Sequence, residues 1–332
     1  MSHATRTTTI RALMLRDGLP VLAAGQPLPA LDSGHVLIEP TRCAVSATDV
    51  ERCRGFSDAA GVLGHQFVGI VRDAHDVADR SMVGKRVVAR SIMSCGTCNL
   101  CARGLADHCR ERTMLGIDSD RGCFADLFVL PAVNCVAVPD QLDDDHAVFA
   151  HDVASALQCV HQLTISGKPY ITVLGDGTLG MIVAQLMAKQ NASVRLVGRY
   201  TEKLALCERW GLKHRHADDV GRRADQDIVV DCTGTPTGLE LALRLVRPRG
   251  TVVLKSIIAP KAVRHFNLAS IVTNEISLVG SFGGPMAEAV HVLNRLEVDV
   301  VSLIGRRMRL DDGPALLDAA AEPGAMKVLV DP

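Results

Sequence analysis

The apolar residues of this chain change their period near residue 140. Up to that point they come in short runs, RALMLRDG, HVLIEPTRCAV, FVGIVRDA, KRVVARSI, FADLFVL and CVAVPD, broken by Gly, Pro and Asp. Such runs, bounded by turn formers, predict strands, and their spacing predicts a barrel-like β domain. Past Pro139, DDDHAVFAHDVASALQCVHQL sets an acidic first turn ahead of an apolar stripe, the pattern of a helix. Strand and helix patterns then alternate through YITVLG, TLGMIVAQLMAKQ, SVRLVGR, TEKLALCERWG, DIVVDCTG, LELALRLVRPRG and TVVLKS. That alternation predicts a parallel, doubly wound sheet covered by helices. The tail continues as EISLVGSFGG, a helix near MAEAVHVLNRLE and a last strand KVLVDP. The expected class is α/β, a β domain plus a doubly wound sheet, and 332 residues suit two domains of ordinary size.

Composition narrows the partners. The 36 basic and 37 acidic side chains leave a net charge of −1, so nothing draws the protein to nucleic acid or to an anionic membrane. One Trp, two Tyr and seven Phe provide no base-stacking surface. The first ten residues, MSHATRTTTI, lack an apolar signal core, and no apolar run reaches the roughly 18 residues of a membrane span. A cytoplasmic protein is expected. The scattered thiols Cys43, Cys53, Cys123, Cys135, Cys159, Cys207 and Cys232 lie mostly among apolar residues and fit a reducing compartment.

Four further thiols are clustered. Cys95, Cys98, Cys101 and Cys109 stand in the loop CGTCNLCARGLADHC, a rhythm that folds four thiolates onto one tetrahedral ion. Four thiolates with no open position describe a structural zinc site. Gly96, Asn99 and Gly104 favour the tight turns it needs.

Gly175-Asp176-Gly177-Thr178-Leu179-Gly180 is a GxGxxG between the strand YITVL and the helix TLGMIVAQLMAK, the context that a dinucleotide fingerprint requires. Gly175 permits the turn, Gly177 lets backbone approach a pyrophosphate, and Gly180 allows close packing of helix on strand. The helix-start N–H groups, Thr178 and Leu179 included, face the anion. The next strand, SVRLVGR, ends on Gly198 where NAD-binding chains carry an acid. Arg199 and Lys203 follow, so NADP(H) is expected over NAD(H).

In these motifs the chain resembles the zinc-containing medium-chain dehydrogenase/reductases, the alcohol dehydrogenase-like superfamily, from about residue 11 onward. The resemblance rests on the cysteine loop, LGIDSDRGCFADLFVLP, GDGTLG, EKLALCERWG, DCTG and EISLVGS. It implies a GroES-like β-barrel catalytic domain over 1–145 with the zinc lobe at about 90–112, a Rossmann domain over 146–282, and a segment 283–332 returning to the catalytic domain. It also implies Thr233 and Gly234 of DCTG as cofactor-binding residues, and a homodimer or homotetramer.

Where the family binds a catalytic zinc, this sequence departs three times. Ser46 replaces a thiolate in Ser46-Ala47-Thr48-Asp49, Gln66 replaces an acid in Gly64-His65-Gln66, and His151 replaces a carboxylate in His151-Asp152. A serine hydroxyl binds zinc far less well than a thiolate. Cys43 offers a substitute thiol only if it does not lie on a strand, where an odd offset turns it to the opposite face. By resemblance, Thr48 passes the substrate proton and Asp49 orients His65. Asp152 is a further acid–base candidate, whereas His214 and His216 are expected at the surface.

Three functions fit. One is an NAD(P)(H)-dependent oxidoreductase acting on a small alcohol or carbonyl compound, with a second zinc on His65 and His151. Another is a metal-free reductase of a carbonyl or enone using His65. The last is a nucleotide-binding protein that has lost redox activity.

Overall fold

The computed structural model describes residues 9–56, 60–221, 223–257 and 268–332; the polar stretch 1–8 lies outside the described residues. The chain divides into two compact units. One comprises Met1–His151, Leu293–Arg295 and Leu303–Pro332, and the other Asp152–Val292 with Leu296–Ser302.

The first unit is built on strands. A seven-stranded sheet runs in the order Cys135–Ala137, Arg86–Ala89, Gln66–Ala74, His35–Ala44, Lys327–Asp331 and Ile304–Arg309, with Phe128–Pro131 paired to His35–Ala44. A three-stranded sheet sets Thr9–Arg16 between Leu19–Pro27 and Gly61–Val62. Alternation along the strands explains the core: Val36 and Ile38 point inward beside Leu13, Leu63, Phe67, Phe124, Phe128 and Leu130. The chain returns to this unit late, because Lys327–Asp331 pairs antiparallel with His35–Ala44 and parallel with Ile304–Arg309.

The segment expected to return from residue 283 does so only in part. The helix Met286–Asn294 falls mainly in the second unit, and the continuous return begins at Leu303. Several strands carry no signal in the pattern, three longer ones among them. Leu19–Pro27 follows Asp17 and Gly18, both at positive φ, in a tight hairpin. Lys213–His216 and Ile304–Arg309 are polar edge strands, and a strand with an open side carries no strict apolar alternation.

The second unit holds a six-stranded sheet. Its order is Lys213–His216, Ser193–Gly198, Tyr170–Leu174, Gln226–Asp231, Val246–Leu254 and Ser277–Gly280, and every neighbouring pair is parallel. In order of appearance that is 3-2-1-4-5-6, which puts a switch point beside the first strand, at Leu174. Helices Thr178–Ala188, Thr201–Arg209 and Pro236–Leu245 connect the strands. Strand residues Ile171, Val173, Val229, Val230, Val252 and Val253 are buried, as parallel strands covered on both faces must be.

Candidate functional site

The first unit carries a histidine pair. Ser46 N-caps the short helix Ala47–Cys53 in a capping box with Asp49. The Asp49 N–H donates to Ser46 Oγ at 3.2 Å, and Asp49 Oδ2 accepts from the Ser46 N–H at 2.8 Å and its hydroxyl at 2.7 Å. The other carboxylate oxygen, Oδ1, accepts from the Gly64 N–H at 3.1 Å and faces His65 Nδ1 at 3.7 Å, an ion-pair distance rather than a hydrogen bond. Burial alone would push the fully enclosed Asp49 carboxyl up. His65 and the Ser46 donors outweigh it and hold the group below its ordinary value.

Gly64 fixes where His65 points. Its φ of +89° belongs to glycine, and a Cβ there would fall 2.5 Å from the Phe124 ring. His65 is 3% exposed, and its ring meets that of His151 edge to face at 4.8 Å. His151, in the first turn of Ala150–His161, places Nε2 3.1 Å from the hydroxyl of buried Ser91. Gln66 accepts from the buried Lys327 ammonium, which also lies 5.7 Å from the centre of the Phe149 ring. Thr48 is half-buried beside the capping box.

This donor set does not fit a catalytic zinc. Such an ion needs three protein ligands and an open position. Among the described residues, the cysteine loop is the one group of three or more His, Cys, Asp or Glu side chains disposed to share an ion. Ser46 is committed to Asp49. Cys43 lies on the strand His35–Ala44 and donates its thiol to the Cys123 carbonyl at 3.3 Å, inside the core. Alternation along the strand turns it into the core.

The cysteine loop does fit an ion. Sγ separations are 3.5 Å for Cys98–Cys101, 3.5 Å for Cys95–Cys109 and 3.9 Å for Cys98–Cys109. A tetrahedron of Zn–S bonds of about 2.3 Å requires edges of about 3.8 Å. Backbone N–H groups of Thr97 and Cys98 bring the Cys95 thiol down to about 6, which favours a thiolate ligand.

The second unit carries the glycine-rich turn at the switch point. Gly175 has φ +105°, and a Cβ on it would press on Cys232 backbone at 3.1 Å. A Cβ on Gly180 would lie 2.0 Å from the Gly175 carbonyl oxygen, so helix and turn touch through glycine. Nothing stands within 4 Å of a Cβ on Gly177, the N-cap of Thr178–Ala188. Among the described residues no side chain caps that helix, which leaves the N–H groups of its first turn for an anion. Thr233 donates through N–H and hydroxyl to Asp231 at 2.9 and 2.7 Å, and Gly234 follows at positive φ.

At the end of the second strand Arg199 is exposed, but Lys203 is not. Its ammonium lies 5.0 Å from the centre of the Tyr200 ring, and burial lowers its pKa while Asp176 pulls it back up. Two residues of these sites escaped the sequence. Ser91 had no local signal. Asp176 had one: it adds an acid inside the glycine motif of a chain that lacks one at Gly198.

The chain matches two family models, the alcohol dehydrogenase GroES-like domain over residues 32–140 and the zinc-binding dehydrogenase over 178–297. It is similar to a sorbitol dehydrogenase of Halalkalibacterium halodurans, 24% identical over 325 residues that span 92% of this chain and 94% of the relative. L-threonine 3-dehydrogenase of Escherichia coli is 24% identical over 324 residues, spanning 92% and 94%. A protein of Sinorhizobium meliloti assigned as a zinc-binding dehydrogenase and bound to NADP superposes with a TM-score of 0.87 at 26% identity, covering 98% of this chain and 100% of that one. Galactitol-1-phosphate dehydrogenase of E. coli shares the fold at TM-score 0.86 and 21% identity, covering 97% and 100%.

Proposed function

The chain belongs to the zinc-containing medium-chain dehydrogenase/reductase superfamily, and on that premise we propose a nicotinamide-dependent oxidoreductase of small alcohols and carbonyl compounds whose proton-transferring group is His65 rather than a zinc-bound oxygen. The observation that carries this reading is the pair His65–His151, two imidazoles with a third ligand position given over to a serine cap. Asp49 Oδ1 stands 3.7 Å from Nδ1 on one side of the ring, and Nε2 on the other side is the atom we assign to proton exchange. A reduced nicotinamide held at the glycine-rich turn would supply hydride to the carbonyl carbon. His65 gives its proton to the carbonyl oxygen, and in alcohol oxidation takes one from the hydroxyl. His151, hydrogen-bonded to Ser91, is a second donor for the oxygen. Ser46 and Asp49 position His65, and Thr48 is kept as a relay candidate.

Zinc in this reading is structural, on Cys95, Cys98, Cys101 and Cys109. None of the eleven cysteines is in a disulfide, which supports a reducing, cytoplasmic setting. Among the described residues no helix is long and apolar enough to cross a membrane. A homodimer or homotetramer is proposed from the resemblance alone. Between the dinucleotides, exposed Arg199 beside Gly198 favours NADP(H), and the Asp176 carboxylate at the same strand end opposes it.

Elemental analysis of protein purified without chelators tests the metal assignment: one zinc per chain is expected, and two would return a catalytic ion to His65 and His151. His65→Gln should then abolish carbonyl reduction while dinucleotide binding is retained. Unchanged turnover removes His65 from the mechanism. Dinucleotide binding without reduction of any aldehyde, ketone or enone by the wild type would leave a binding protein.

A further inference from the structure

The second strand of the parallel sheet ends on Gly198, and the space its side chain would fill is taken. A Cβ built there falls 2.6 Å from Cβ, Cγ and Oδ2 of Asp176, the second residue of the glycine-rich turn. No side chain at position 198 coexists with Asp176 in this conformation. The carboxylate is 7% exposed and held in place, with Oδ2 accepting the N–H of Arg199 at 2.7 Å and of Tyr200 at 2.8 Å. Two successive N–H groups converging on one oxygen form an anion-binding nest. It lies at the strand end where dinucleotide folds meet the adenosine ribose.

We propose that Asp176 replaces the missing strand-end acid and makes this protein select NAD(H) over NADP(H). The inference rests on the reading that the second unit binds a nicotinamide dinucleotide. A neutral ribose diol can donate to the remaining oxygen, Oδ1. A 2′-phosphate carries a charge of about −1.5 to −2 and needs N–H donors. Here the donors are already filled by a fixed carboxylate, and its charge repels the phosphate. The buried Lys203 ammonium, 5.0 Å from the centre of the Tyr200 ring, offsets part of that charge. Arg199 still offers a guanidinium, but its backbone N–H is spent on Asp176. The acid has moved from the strand end to the turn, and the two positions exclude each other sterically.

The test is equilibrium binding of NADH and NADPH, each alone, to the purified full chain, followed by dihydronicotinamide fluorescence. The wild type should bind NADH at least about tenfold tighter than NADPH, or about 1.4 kcal/mol. Asp176→Asn should cut that ratio at least about tenfold, chiefly by tightening NADPH. A double variant, Asp176→Gly with Gly198→Asp, puts the acid back on the strand and should keep the preference for NADH, which covers the case where the single variant does not fold. Equal or tighter NADPH binding by the wild type overturns the assignment, as does a ratio that Asp176→Asn leaves unchanged. Binding of neither dinucleotide by the wild type overturns the dinucleotide reading itself, and this inference with it.

Discussion

Replacing Asp49 by Asn tests the arrangement around His65 through stability as well as turnover. The carboxylate is fully buried and receives three hydrogen bonds, two from Ser46 and one from the Gly64 N–H, with His65 Nδ1 at 3.7 Å. An asparagine of the same shape presents one oxygen and turns an NH2 toward a donor on the other side. At least one hydrogen bond to a charged acceptor, about 1.5–3 kcal/mol, is lost. Reciprocal capping of the helix, about 1 kcal/mol, weakens with it if Oδ2 is the atom replaced. Together these give about 3 kcal/mol at neutral pH, or about 10 °C in the melting of a unit of this size.

The pH dependence has a definite sign. The folded carboxyl sits below its ordinary value, so its contribution is complete above the unfolded pKa of about 3.9 and is lost as pH falls through the folded value. The gap between wild type and Asp49→Asn should therefore be widest above about pH 5 and should close on acidification below about pH 4. Urea denaturation of both proteins across that range is the assay. A gap below about 1 kcal/mol at neutral pH, or one of constant size down to pH 2, would refute the view that a charged Asp49 anchors His65.

Other perturbations separate the sites. Cys98→Ser removes one of four thiolates and should release the zinc and lower the melting temperature of the first unit; zinc retained at one per chain would refute the four-thiolate assignment. Gly180→Ala sets a methyl 2.0 Å from the Gly175 carbonyl oxygen, backbone against backbone. Dinucleotide affinity should fall more than about tenfold in a titration, with destabilisation of about 1–3 kcal/mol, and undiminished binding would refute the packing role given to that glycine.

Much of this protein is legible in the sequence. The alternation of buried strands and amphipathic helices predicted the parallel sheet, because parallel strands covered on both faces must be apolar along their whole length. Cysteine spacing predicted the four-thiol cluster, since tight turns between the thiols can fold all four onto one ion. The glycine-rich turn was equally plain from its setting between strand and helix. Edge strands such as Lys213–His216 were not, because their residues read as a polar loop.

What the sequence determined, then, were the features written by neighbours along the chain: period, cap, turn and ligand spacing. Tertiary structure decided what depends on distant residues meeting. That Cys43 faces Cys123, and that His65 meets His151 across 86 positions, follow from how strands and helices pack. The proposed preference for NAD(H) rests on such a contact as well. Gly198 and Arg199 alone favour a 2′-phosphate, but Asp176, 22 residues earlier, fills the space that glycine leaves. A charge acts through distance and the donors it occupies, and neither is visible until the chain has folded.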